Sequence, residues 1–221
     1  IGEGPGHRRD AHYLAVEAGY RGIEKFDSRF VDLNRDDVTL VPGFAGLHEI
    51  YLPNTALTAD LIVSLAKMKT HHWAGATLSM KNLFGLVPGA VYGWPKNFLH
   101  HHGIGTSIVA LNRIFRRTFA IVDGIVGMEG NGPIQGTARA ANVLVMGSDL
   151  VAVDATCSRI MGIDPLAMTY LEAAAELGHL SEDKIEQRGE MVAKLRTDFA
   201  LTDEFRSLRL REGASGTPAG T

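Results

Sequence analysis

The stretch Leu61–Gly89, LIVSLAKMKTHHWAGATLSMKNLFGLVPG, decides the reading of this chain. It opens on a near-continuous apolar run, Leu61–Ala66, as expected for a strand buried on both faces. Lys67, Lys69, Thr70, His71 and His72 follow at once. A short helical segment over Thr77–Phe84 carries Lys81 and Asn82, and a Pro-Gly turn at Pro88 and Gly89 closes the stretch. In open α/β sheets, ligands sit outside the carboxyl ends of the strands. Cationic and hydrogen-bonding groups gathered at such an end point to a bound anion.

Outward from this stretch, shorter strand patterns precede it at Val31–Leu33, Val38–Val41 and Glu49–Leu52. Phe119–Val122 and Asn142–Met146 read as a second and a third buried strand. Helical patterns fall at Asp10–Gly19, Ile104–Phe115, Leu150–Met161 and Pro165–Leu177, with Asp10 as an N-cap and Pro165 in a first turn. This interleaving predicts an α/β fold with a mostly parallel or mixed central sheet and flanking helices. The three apolar strands are expected at its centre, covered on both faces. A single domain is expected over residues 1–180, with an N-terminal part missing, since Ile1 leads directly into a glycine loop. Residues 181–211 read as a charged, partly helical extension and 212–221 as a mobile tail.

Composition narrows the function classes. The chain has 221 residues, 45% hydrophobic and 21% charged, with a formal net charge of −3. Its lysines and arginines are dispersed, so a nucleic-acid partner is not expected. No apolar run reaches the roughly 18 residues of a membrane span. The expectation is a soluble protein, cytoplasmic or exported by way of a removed signal. The single cysteine, Cys157, excludes an internal disulfide and a four-cysteine iron–sulfur site held by this chain alone. Within its helical pattern Cys157 reads as a small buried hydrophobe.

Three constellations could carry chemistry. In IGEGPGHRRD, Gly4 and Gly6 let backbone amides approach an anion, with Arg8 as a side-chain donor; a plain glycine turn with solvated arginines is an equal reading. Lys67, Lys69 and His71 share one side of an extended segment, and Lys81 returns from the following helix, with Asn82 beside it. Together they could hold phosphate or carboxylate, with His71 moving a proton near neutral pH. In TFAIVDGIVGMEGNGPIQG, Asp123 ends a strand and Glu129 sits in a glycine loop. Both suit a hard divalent cation or general acid–base work. Asp149 is most simply the N-cap of the following helix. Asp154, inside that helix, calls for an ion pair with a cation such as Lys67, Lys69 or an arginine. His100, His101 and His102 diverge in direction and form no three-ligand metal site.

The phrases SLAKMKTHHWAGATLSMKNLFGLVPG, YGWPKNFLHHHGI, IVDGIVGMEGNGPIQG and GSDLVAVDATCSRIMGIDP, in this order, resemble an uncharacterised bacterial family called domain of unknown function 362. The resemblance runs from about Ile1 to Gly178. It implies a fold without established catalytic residues. Some members of the family are iron–sulfur proteins with an attached ferredoxin-type module, which the lone Cys157 does not reproduce. Others carry an upstream segment or resemble exported proteins with a twin-arginine signal.

Two functions are expected to compete. The first is an enzyme for a small anionic ligand, held by Lys67, Lys69 and Lys81, with His71 transferring a proton and Asp123 and Glu129 holding a divalent cation or acting as base. The second is a non-catalytic binding or redox-accessory module that works with an iron–sulfur partner. A cleft containing both the Lys67–His71 cluster and the two acids favours the enzyme, and a flat apolar patch there favours the module.

Overall fold

The computed structural model describes residues 1–23, 25 and 29–211, so the expected tail at 212–221 lies outside the described residues. The chain forms two compact units, residues 1–62 with 81–117 and residues 63–80 with 118 onward. Neither unit ends near residue 180, where the sequence pattern places a boundary. The class is α/β with a mixed sheet and flanking helices.

In the first unit, β1 (Gly2–Glu3) pairs in parallel with β2 (Val31–Asp32). Strands β3 (Val38–Phe44) and β4 (Leu47–Pro53) form an antiparallel hairpin. Its two-residue turn puts Ala45 and Gly46 at positive φ, which suits the twist of a tight hairpin. Helix α1 (Ala11–Glu17) is capped by Asp10, whose carboxylate accepts the Tyr13 amide at 2.8 Å. Helix α2 (Phe98–Ile114) begins six residues before the expected Ile104, taking in the histidine run, with a break at Gly103. Phe44, Ile50, Leu52, Leu83, Leu99 and Leu111 are buried together as this unit's core.

The second unit is built on one sheet. Strand β5 (Ile62–His71) lies between β6 (Gly75–Thr77) and β7 (Thr118–Glu129). Strands β8 (Thr137–Ala140) and β9 (Leu144–Gly147) both run antiparallel to β7 on its far side. They act as one strand interrupted at residues 141–143, where Asn142 takes a positive φ. Contacts climb both β5 and β7 in the same direction, from Lys67–Asp123 through Thr70–Met128 to His72–Gly132, so the central pair is parallel. At its top the chain passes so close to β5 that a Cβ on Gly132 would sit 2.1 Å from the Thr70 carbonyl oxygen. Only glycine allows that approach.

Two expectations need correction. Strands β5 and β7 are central, but β9 is an edge strand. Nor are both faces of the sheet covered. Ser64, Ala66, Met68, Ala120 and Val122 are buried, whereas Val63, Leu65, Leu144 and Met146 are exposed by 47–68%. Apolar residues on both sides of a strand identify it as sheet without showing that both sides are packed.

Helix α3 (Leu150–Ile160) packs on β7 and β9 in the second unit. It contributes Val153, Ala155, Cys157 and Ile160 to the core, with Tyr170 and Phe199 from later segments. Cys157 is fully buried, and burial pushes its thiol well above the ordinary value. Asp154 is fully buried too, and among the described residues no cation meets its carboxylate. It accepts the Ser79 amide at 2.8 Å, the Ser79 hydroxyl at 2.5 Å, the Met80 amide at 3.2 Å and the Tyr170 hydroxyl at 3.2 Å. The expected ion pair is thus replaced by four neutral donors.

Candidate functional site at the carboxyl ends of β5 and β7

The parallel pair β5 and β7 ends on a cleft of about 680 Å³ lined by His72, Trp73, Asn131, Gln135, Thr202 and Asp203, with Pro133, Ile134 and Glu204 at its margin. This is where ligands of α/β sheets bind. Its shape follows from the turn after β5. There the His71 ring is buried, and its Nδ1 accepts the amides of Trp73 at 3.0 Å and Ala74 at 3.2 Å. His71 therefore carries its ring proton on Nε2 and holds the turn. The side chain that lines the cleft belongs to the next residue.

That residue is His72. Its Nδ1–H donates to the Gly132 carbonyl at 2.7 Å, and its amide donates to the same oxygen at 3.0 Å. The ring stacks on His71 with centroids 5.0 Å apart. With Nδ1 a donor, Nε2 is the acceptor of the neutral ring, and no hydrogen bond to it occurs among the described residues. Thr202 also lines the cleft, and its buried hydroxyl finds no hydrogen-bond partner among the described residues. Unsatisfied buried polar groups are uncommon. Trp73, 45% exposed, offers a flat apolar wall beside them.

Glu129 shapes the opposite wall. It lies at the end of β7 rather than in a loop, and its carboxylate accepts the Ala200 amide at 2.9 Å. Arg139 approaches the same oxygen at 3.7 Å. This contact fixes the segment that carries Thr202, Asp203 and Glu204, so Glu129 positions the wall rather than lining it.

Asp123 stands mid-strand, not at a strand end. Six residues of strand, roughly 20 Å, separate it from Glu129, which prevents the two from sharing a metal ion. Its carboxylate accepts the Lys67 ammonium at 2.6 Å and the Ile125 amide at 2.9 Å. The Lys67 hydrogen bond holds this carboxyl below its ordinary value, with burial opposing it. Lys67 and Lys69 do share a face of β5, as expected from strand parity, but Lys67 is neutralised there. No group of three or more metal-ligating side chains occurs among the described residues.

The remaining predicted residues belong to the first unit. Lys81 is buried with its ammonium 4.7 Å from the Phe84 ring centroid, and Asn82 ends the same short helical turn. The Gly4–Arg8 loop turns carbonyls inward instead of amides. Gly4 oxygen accepts the Lys96 ammonium at 2.7 Å, and Gly6 oxygen accepts the Lys96 amide at 3.3 Å. Arg8 is exposed. Lys96, passed over in the sequence, also donates to Asn34 Oδ1 and to the Gly85 carbonyl, and burial lowers its pKa to about 8. It ties together three segments of its unit.

Fold and cleft place the chain among α/β proteins with a mixed sheet. It belongs to the family described as "Domain of unknown function (DUF362)", whose model matches residues 1–159. A curated relative, the Thylakoid-associated protein sll1697 of Synechocystis sp. (strain ATCC 27184 / PCC 6803 / Kazusa), is 31% identical over 133 residues, 59% of this chain and 41% of that protein. The chain thus spans about two fifths of the length of that relative. No solved structure matches it. No helix among the described residues is long and apolar enough to cross a membrane.

Proposed function

We propose that this chain binds a small polar molecule at the carboxyl ends of β5 and β7 and moves a proton there at His72 Nε2. One observation carries the reading: His72, whose Nδ1–H is committed to the Gly132 carbonyl, lines the same cleft as Trp73, Thr202 and Asp203. A phosphate or carboxylate fits this cleft only with a divalent cation beside it. Asp203 and Glu204 border the cleft, and neither lysine nor arginine is among its lining residues.

The chain has two tryptophans, Trp73 and Trp94, so Trp94→Phe leaves a fluorophore at the cleft alone. Small neutral and cationic polar compounds should change its emission saturably, and His72→Gln should weaken them about tenfold or more. Phosphate and citrate should act only with Mg²⁺ present. If no compound class alters the emission, or if the His72 substitution leaves every affinity unchanged, the reading fails.

A second reading is a non-catalytic binding or redox-accessory module working with an iron–sulfur partner. The open apolar sheet face at Val63, Leu65, Leu144 and Met146 favours it, as does the thylakoid association in the name of the relative. In that case the cleft ligand is bound but returned unchanged, which product analysis by mass spectrometry distinguishes.

A further inference from the structure

A second cavity of about 640 Å³, separate from the cleft, runs along the outer edge of β9 in the same unit. On one side it is bounded by the strand from Asn142 to Gly147. Its floor is α3, with Ala152 and Thr156 one helical turn apart, and its lining also includes Lys184, Glu186, Arg188 and Glu190 beside Val192 and Leu195. The backbone direction of β9 follows from its register. The Val143 carbonyl accepts the Gly124 amide, and the pairing continues through Val122↔Val145 to Ala120↔Gly147. In an antiparallel ladder, the N–H and C=O of one residue point to the same side and alternate along the strand. Val143, Val145 and Gly147 therefore face β7, while the amides and carbonyls of Leu144 and Met146 face the cavity. Among the described residues they find no partner there.

Such an edge is normally blunted by proline, lysine or other charge. None occurs in Asn142–Gly147, whose sequence is NVLVMG. Two unpaired donor–acceptor sets spaced by two residues match only another extended backbone. The side chains of an added strand would alternate between the cavity and the open sheet face. One set would meet the cavity floor and the Val192–Leu195 wall. The other would extend the open sheet face beside Leu144 and Met146, which are 50% and 56% exposed.

We infer that the β9 edge is a docking site for an extended peptide segment of a partner protein, rich in β-branched residues over about four residues. The segment adds to the sheet beside β9, making backbone hydrogen bonds to Leu144 and Met146.

The probe is an acetylated, amidated octapeptide of alternating Thr and Val between terminal lysines, titrated into the ¹⁵N-labelled chain. Hydrogen exchange should slow at least tenfold at the Leu144 and Met146 amides and stay unchanged at Val145 and Gly147. Peptides N-methylated at one alternate set of amides should lose binding, while methylation of the other set is tolerated. Met146→Pro removes one outward donor without touching a bond to β7, and it should weaken binding at least tenfold. Retained Val145 protection would show that its sheet is intact. Absence of binding, equal effects of the two methylation patterns, or protection away from Leu144 and Met146 overturns the proposal. So does a concentration-dependent dimer of the chain that Met146→Pro abolishes, because the edge then belongs to a second copy.

Discussion

Substituting Asp154 by Asn separates two opposing effects that meet at one buried carboxyl. Burial raises its pKa from 3.8 to about 6, against the pull of the Ser79, Met80 and Tyr170 donors. At ~1.36 kcal/mol for each pH unit, that rise corresponds to about 3 kcal/mol. The folded chain holds this proton more tightly than the unfolded one. The contribution to stability is therefore complete below about pH 4 and is lost as the pH climbs through about 6. Asn keeps the shape and one acceptor but turns an N–H group toward the Met80 amide, leaving that donor unsatisfied at a cost of about 1–3 kcal/mol, independent of pH. Urea unfolding of both proteins from pH 4 to 7.5 should thus show the wild type ahead at the acidic end. The gap should close by about 3 kcal/mol toward neutrality, where the variant equals or exceeds the wild type. A gap constant across this range would refute the reasoning. A gap that widens with pH would show that the four hydrogen bonds outweigh desolvation, so that the carboxylate is ionised throughout.

Asp123→Asn should be mild, because both partners of the Lys67 pair are nearly half exposed: a loss of at most about 1 kcal/mol at low salt, vanishing near 1 M salt. Since the Asp123 carboxyl is held low, this contribution is present at neutral pH and lost only as the pH falls below the ordinary carboxylate range, which chemical unfolding at two salt concentrations would check. Lys96, lowered to about 8 from 10.5, likewise favours the folded chain as the pH rises, but in an alkaline window. The wild type should gain about 3 kcal/mol relative to Lys96→Met as the pH rises from about 8 past 10.5, and parallel unfolding curves would count against its burial. Gly178→Ala would place a Cβ 2.1 Å from Asp149 Oδ1, pushing aside a carboxylate that caps α3 through the Ala152 amide and holds His179 Nδ1 at 2.9 Å. We expect a loss of about 1–2 kcal/mol, typical of a broken cap, and a changed His179 ring ¹⁵N signal; an unchanged ring signal would contradict the geometry.

What the sequence made legible was whatever depends on neighbours along the chain. The apolar runs gave β5 and β7 their central places, Asp10 and Asp149 announced their helices, and strand parity put Lys67 and Lys69 on one face. Signals failed where a partner came from far away. Asp154 looked in need of a cation because nothing nearby showed that Ser79, 75 residues back, would turn its amide and hydroxyl toward it. Glu129 looked like a free loop acid because its partner is the amide of Ala200, 71 residues on. At the cleft the lining histidine is one position beyond the one that parity selects. Extending strand parity through the end of β5 selected His71, but the strand stops there and the turn hands the outward position to His72. The sequence carried a usable hint, since a histidine followed by Trp-Ala-Gly stands at a strand terminus, where parity no longer predicts direction.

The open sheet face shows a further limit, and it bears on function. Periodicity reports which residues are apolar, while burial depends on what else is present to cover them. A parallel pair such as β5–β7 is ordinarily covered on both faces. Here one face is packed by the unit's own helix, and the other leaves Leu65 68% exposed and Val63 47% exposed. Exposed apolar surface on this scale, continuous with an unblunted edge at β9, lowers the free energy of any state in which it is covered. The edge supplies direction through its backbone groups, and the face supplies area. Strand addition at β9 would therefore be strengthened by side chains that reach back over Leu144 and Met146. Replacing Met146 by Ser, which removes apolar area but keeps the outward amide, should weaken the alternating Thr/Val peptide less than Met146→Pro does. If the order is reversed, area rather than the hydrogen-bond ladder governs the edge, and the partner need not be extended.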